Sequence, residues 1–397
     1  MNFGNLQRDW TLGDGFILGD NMSLGAQVGR WGVFRTHARA RKRRPKLSVF
    51  VEGVGSVTQY VKNFSFNRRI EGSLHEPTHG KGVIVLKDKD NVLIQNSRSV
   101  IRRNDKIQIW SGFAAPGFLH GDLVPRFAGI VKTPKINTAT GQITLDVQDY
   151  GYLMKQAQTS GDWSAYNTPK LMVDELMSRL GLKAPNWENE AGLPTTYTIG
   201  NPILRRRNYW KKTHGALLGI NYVMYFDENG DLQCKRRDNS AEADELFVDK
   251  DIGHIKYERM ASLINSKGVS LDGVVTPFVS GTAGDSIRWG QSIYSKESEI
   301  SQAQNGEVAD YESEDMISGW SNVLPFSRDS VNWFQYPRHI ISLHCAARPH
   351  LGIMDKIRID SDRYNIHGQQ TILGVSERCS AASYSQTLLL MSHRELF

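Results

Sequence analysis

The 397-residue sequence has only three cysteines, Cys234, Cys345 and Cys379. They lie far apart and form neither a CxxC pair nor a zinc-finger spacing, so a disulfide framework and a cysteine metal site are both excluded. Reduced thiols in a chain made in cytoplasm are expected. No apolar run reaches the ~18 residues that span a bilayer. The N-terminus, MNFGNLQRDW, lacks a charged segment leading into an apolar one, so no secretion signal is expected. The motifs of common chemistries are missing too. No GxGxxG follows a strand, Gly80-Lys81-Gly82 lacks the phosphate-loop pattern, and there is neither a GxSxG elbow nor an HExxH helix. His75 and His79 are four apart, but Pro77 between them makes this a loop. Glu297, Glu299, Glu307 and Glu312 supply carboxylates for glycoside hydrolysis only if buried, and they sit in a polar stretch. No catalytic residue, metal or cofactor is therefore expected.

What remains is an ordinary globular composition, 40% hydrophobic and 23% charged, with a net charge of +6. That charge permits an acidic partner without demanding one. The length suggests two or three domains. Asp105-Lys106-Ile107-Gln108-Ile109 recurs as Asp355-Lys356-Ile357-Arg358-Ile359. Each copy reads as a turn acid before an alternating strand with one wet face. After each come a strand that begins at an aromatic residue (Phe127, Tyr364), a turn and a long alternating strand. Five matching letters alone can be coincidence, but the matching order of strands indicates a duplicated β-domain.

The organisation follows. Residues 1–46 form an extended, glycine-rich arm without sustained periodicity. It ends in a basic run that includes Arg39, Arg41, Lys42, Arg43 and Arg44. The run is either a solvated linker or a contact with an acidic partner or nucleic acid. Residues 47–155 read as short strands with turn signals, a first barrel. Residues 156–250 read as a small α/β unit. In it Thr168-Pro169 starts a helix that Gly181 stops, a second helix covers 208–219, and Asn229-Gly230 turns a hairpin. Arg205-Arg206-Arg207 beside Tyr209 and Trp210 is either a solvated helix start or a surface that stacks on nucleic acid. Residues 251–397 read as a second barrel, with strands at 263–273, 285–294 and from 339 onward. A polar insertion at about 295–335 interrupts it. The insertion carries Trp320, Trp333 and Phe334, whose rings suit docking on a partner or a sugar platform. The fold class expected is mainly β with a small α/β part.

Taken in order, RRNDKIQIW, RFAGIVKTPKINTATGQITLDVQDYGYLM, the helix LMVDELMSRLGL, the hairpin FDENGDL, INSKGVSLDG and the closing GIMDKIRI…SQTLLLMSH carry a resemblance. Together they resemble the baseplate-hub or tail-tip-hub proteins of tailed bacteriophages, a family related to late control protein D. The resemblance spans roughly 47–290 and 338–393. It implies two similar tube-type β-barrels with a small α/β domain. It also implies a homotrimeric ring that ends the tail tube, holds spike or fibre proteins and lines the channel that DNA crosses without specific binding. The implied partners are tail-tube or distal-tail, tape-measure and spike or fibre proteins, in a virion, with no membrane span. Many members carry a fused cell-wall hydrolase, and none is expected after the second barrel here. A carbohydrate-binding adsorption module and an enzyme with an unrecognised site are the alternatives.

Overall fold

A computed structural model describes residues 44–70, 79–114, 122–156, 168–193, 222–236, 243–260, 339–380 and 383–392, with Leu217, Ile220 and a few short strands elsewhere. The first half contributes six main strands: β1 (Arg44–Val51), β2 (Val61–Arg69), β3 (Lys81–Lys87), β4 (Lys106–Ala114), β5 (Asp122–Asn137) and β6 (Gln142–Gln148). The middle contributes helices α1 (Gly151–Gln156) and α2 (Pro169–Arg179) and the hairpin β7 (Tyr222–Phe226) and β8 (Leu232–Arg236). The second half adds β9 (Glu245–Val248), β10 (Ile252–Met260), β11 (His339–Ala346), β12 (Lys356–Ser361), β13 (Ile366–Ser380) and β14 (Tyr384–Ser392).

The two halves share one topology. In the first the strands lie in the order β1-β4-β5-β6-β3-β2, and in the second β9-β12-β13-β14-β11-β10. Numbered along the chain, each is first, fourth, fifth, sixth, third, second. One direction differs: β1 is antiparallel to β4, whereas β9 is parallel to β12. The fold is mainly β, with two similar barrel-type units and a small α/β part.

Alternation explains the strands. In β3, Gly82, Ile84 and Leu86 point inward and Lys81 and Lys87 outward. Ile107 and Ile109 face one core, with Phe64, Phe66, Ile84 and Ile143. Ile357 and Ile359 face another, with Leu343, Ile372, Leu388 and Leu390. Burying each such side chain contributes roughly 1.5–3 kcal/mol.

The repeated phrase marks the same turn twice. The Asn104 N–H donates to the Val131 carbonyl at 2.7 Å, and Val131 N–H returns to the Asp105 carbonyl at 2.9 Å. Met354, Ile372 and Asp355 repeat this at 2.8 and 2.9 Å. Each aspartate accepts the N–H three residues back, from Arg102 and from Gly352, at 2.7 Å. Asn104 and Met354 adopt φ of 71° and 70°. The irregularities match as well. A bulge follows Val131 in β5 and Ile372 in β13, and another follows Val61 in β2 and Ile252 in β10.

This register corrects the aromatic landmark. Val131 and Ile372 are equivalent, so Phe127 matches Gly368, not Tyr364. Tyr364 lies in the turn before β13, and β5 begins at Asp122, ahead of Phe127.

The helix signals hold. Thr168 caps α2 by accepting the Leu171 N–H. Gly181, at φ 64°, ends it as the Leu182 N–H reaches the Met177 carbonyl and the Gly181 N–H that of Ser178. The hairpin β7–β8 forms, but Asn229-Gly230 is not a two-residue turn. Phe226 pairs with Leu232, leaving a five-residue loop, and the Asp227 carboxylate accepts the Asn229 and Asp231 N–H groups. The strand expected within 263–273 is Ser266–Leu271. It pairs with Val274–Val275 and, in parallel, with Ala309–Ser313, in a separate small sheet. The 285–294 strand lies outside the described residues, and so does the 208–219 helix apart from Leu217.

Candidate functional site

The residues that join the halves were not legible as a site. β2 and β13 pair in antiparallel fashion, with Phe64 opposite Cys379, Phe66 opposite Glu377 and Arg68 opposite Val375. The halves thereby share one thirteen-stranded sheet. Period 2 puts Arg68 on the face of Phe64 and Phe66, and Glu377 on the face of Val375 and Cys379. Charged side chains are thus carried inward, and burial is tolerated only if they are paired.

They are paired with one another. Arg126 of β5 is about 1% exposed and grips Glu377 of β13. It also donates to the carbonyls of Pro349 and Leu351. Glu377 accepts from Tyr384 at 2.5 Å and Gln386 at 3.1 Å, and Tyr384 accepts from Ser111 of β4 at 2.7 Å. Glu228, at the tip of β7–β8, meets Arg68 at 2.6 Å and Arg126 at 4.0 Å. Tyr225 of β7 donates to the Ile353 carbonyl at 3.0 Å. Two guanidiniums and two carboxylates therefore tie the first half, the second half and the α/β part at one buried point.

The electrostatics follow from that packing. Burial works against the Glu228 charge, yet Arg68 and Arg126 hold its carboxyl below the ordinary value. Burial likewise opposes the Arg126 charge, and Glu377 outweighs it, so Arg126 stays protonated. Burial, helped by Glu377, pushes the Tyr384 hydroxyl well up, so it remains a donor. Asp149 is buried next to Arg68, and desolvation lifts it to about 7 against the N–H groups of Gly80 and Gly151. A second knot lies in the other half: Glu245 of β9 faces Arg348 at 3.3 Å and His350, and Arg348 reaches Asp251 at 3.0 Å.

This arrangement can hold parts together. The three thiols are buried and unpaired, and burial pushes Cys345 and Cys379 up to about 12. His79 packs on Tyr152, and burial lowers it to about 4. Among the described residues no His, Cys, Asp or Glu cluster is able to hold a metal, and no helix is long and apolar enough to cross a membrane. Arg44 opens β1 opposite Ala114. Arg39, Arg41, Lys42, Arg43, Trp320, Trp333 and Phe334 lie outside the described residues, as do the 205–210 run and the acidic residues Glu297, Glu299 and Glu307.

No protein-family model matches the chain, and no curated protein matches its sequence. Solved structures do match. A tail protein from Neisseria meningitidis aligns at a TM-score of 0.59 with 10% identity, over 88% of this chain and 97% of its own. The 43 kDa tail protein of prophage MuSo2 from Shewanella oneidensis aligns at 0.54 with 11% identity, over 87% and 97%. Prophage tail protein gp18 from Listeria monocytogenes aligns at 0.52 with 12% identity, over 86% and 94%. The chain has the fold of these phage tail proteins.

Proposed function

We propose that the chain is a structural hub of a phage tail or of a related injection machine. Three copies form a ring that ends the tail tube, anchors spike or fibre proteins, and lines the channel for DNA. One observation carries this reading: a single chain repeats one six-strand order and fuses the repeats through a buried charge joint, within a fold found in phage tail proteins. A ring built from such chains has twice as many similar units as subunits, which suits a junction between a tube and a spike. The division into a first barrel, a small α/β unit and a second barrel belongs to this reading, with β1 opening the first at Arg44 and β9 the second at Glu245, as does the absence of catalysis.

The arm and the 295–335 insertion lie on neighbouring subunits or other tail proteins. A conduit must let DNA slide, whereas a basic wall grips phosphate by counterion release. The lumen is therefore neutral or acidic, and the 35–46 run meets an acidic tail protein. Neutralising Arg39, Arg41, Arg43 and Arg44 together impairs assembly and leaves duplex-DNA binding of the purified chain unchanged. Negative-stain microscopy of the purified chain tests the main reading. A threefold ring with a central hole is expected. A compact monomer, or peptidoglycan cleavage by the purified chain, overturns it.

A further inference from the structure

The repeat makes one join within the chain and leaves its counterpart open. In the first half, the edge of β2 is taken by the C-terminal part of β13, Gly374–Ser380. The β13–β14 hairpin then completes the first core, to which Cys379 and Tyr384 belong. By strand order, β10 is the counterpart of β2, and β5 of β13. Yet β10 ends the sheet, its outer edge unpaired among the described residues. In β5, residues 133–137 pair with β6 alone, whereas residues 374–379 of β13 are paired on both sides.

The shared bulges fix the correspondence residue by residue. Ile84 faces Phe64 in the first half, and Leu343 faces Ile255 in the second. Phe66 therefore corresponds to Tyr257. Stepping from Val131 and Ile372 along their strands makes Glu377 correspond to Ile136. Phe66, covered by β13, is 3% exposed, whereas Tyr257, paired with Ile341 of β11 and with no strand on its other side among the described residues, is 50% exposed. An aromatic side chain at a core position and half in water marks a missing cover.

We infer that the β5–β6 hairpin of a second copy of this chain docks on the open β10 edge, placing Ile136 opposite Tyr257. The occupant follows from the chain itself, which already makes the equivalent join. A β-branched residue opposite an aromatic one is a favourable cross-strand pair. Glu377 and its arginine are replaced here by an apolar contact, which suits partners that meet after folding. Pro134 supplies no N–H, which limits the ladder and discourages indiscriminate pairing of this edge. The two contact surfaces differ, so the association runs head to tail, the kind of contact from which a closed ring of copies is built when the rotation closes. This inference rests on the assembly reading above and names its interface.

Variants with one added cysteine test it, the three native thiols being buried. Ile136→Cys and Tyr257→Cys chains are mixed under oxidising conditions and compared with Ile136→Cys mixed with Leu171→Cys, on the exposed face of α2. Directly opposed strand positions lie within disulfide reach. The first pair is expected to give cross-linked dimer at least about tenfold above the control, a difference of about 1.4 kcal/mol in effective pairing. Light scattering of the unmodified chain runs alongside. A trimer with no specific cross-link overturns this interface and leaves the hub reading standing. A monomer overturns both. Tyr257→Glu provides a second arm: its assembly constant falls at least about tenfold with the melting curve retained, and an unchanged oligomer overturns the inference.

Discussion

The two halves repeat one strand order around differently finished edges. In the first, β13 covers β2, Phe66 is buried, and a charged group, Glu377, sits in the join with two hydroxyl or amide partners and a guanidinium. In the second, the outer edge of β10 is unpaired among the described residues and Tyr257 stands half in water. A charged join is usable where the partner is always present, because the same chain delivers Arg126 and Glu377 together. An edge awaiting a partner must survive in water first, and a lone buried charge there would cost several kcal/mol. Duplication thus left the strand order intact while the edges diverged.

The largest effects should come from the positions that both halves share. Ile107→Asp and Ile357→Asp are each expected to abolish folding, seen as insoluble protein or a lost cooperative melt, because both isoleucines are fully buried. A folded variant at either site would break the equivalence of the repeats. Next comes the join that only the first half has. Glu377→Ala strands Arg126 and should cost about 3–5 kcal/mol in denaturant unfolding. Arg126→Met with Glu377→Leu should recover most of that loss. If the single change costs nothing, the joint does not hold the halves.

A pH titration sharpens the same comparison. Asp149 is raised to about 7 in the folded chain, above its unfolded value. The folded state then binds the proton more tightly, so this group's stabilisation is present at low pH and is lost as pH rises towards 7. Asp149→Asn should flatten the unfolding free energy between about pH 4 and 7, an effect on the order of 3–4 kcal/mol. An unaltered pH slope would assign the dependence elsewhere. The smallest effect concerns the shared turn. Asn104→Ala removes the short polar side chain that eases the left-handed conformation at φ 71°, at a cost of about 1 kcal/mol. Asn104→Gly should be near neutral by thermal melt.

Local signals were readable because local rules set them. The cap at Thr168, the stop at Gly181 and the alternation of β3, β6 and β12 depend on neighbours a few residues away. The DKIxI phrase was readable for the same reason. It encodes a turn whose aspartate accepts an N–H three residues back. The aromatic landmark failed because Tyr364 lies in a turn, and the register that equates Phe127 with Gly368 is set by the bulge after Ile372, where β13 pairs with the distant β14. The Asn229-Gly230 hairpin signal held, and only the length of its loop was illegible, because the Asp227 side chain accepts the Asn229 and Asp231 N–H groups.

The sequence by itself determined that this is a mainly β chain with a repeated unit and a small helical part between. Periodicity and capping act over a few residues and survive any arrangement in space. Only the tertiary structure decided that the halves fuse into one sheet and that Arg68, Arg126, Glu228 and Glu377 meet. It also decided which edge stays open. Those residues come from four distant stretches, and each charge at an inward position reads alone as an interruption of the pattern. Their pairing depends on which strand lies beside which, and that is set by the packing of whole units rather than by any neighbour in the chain.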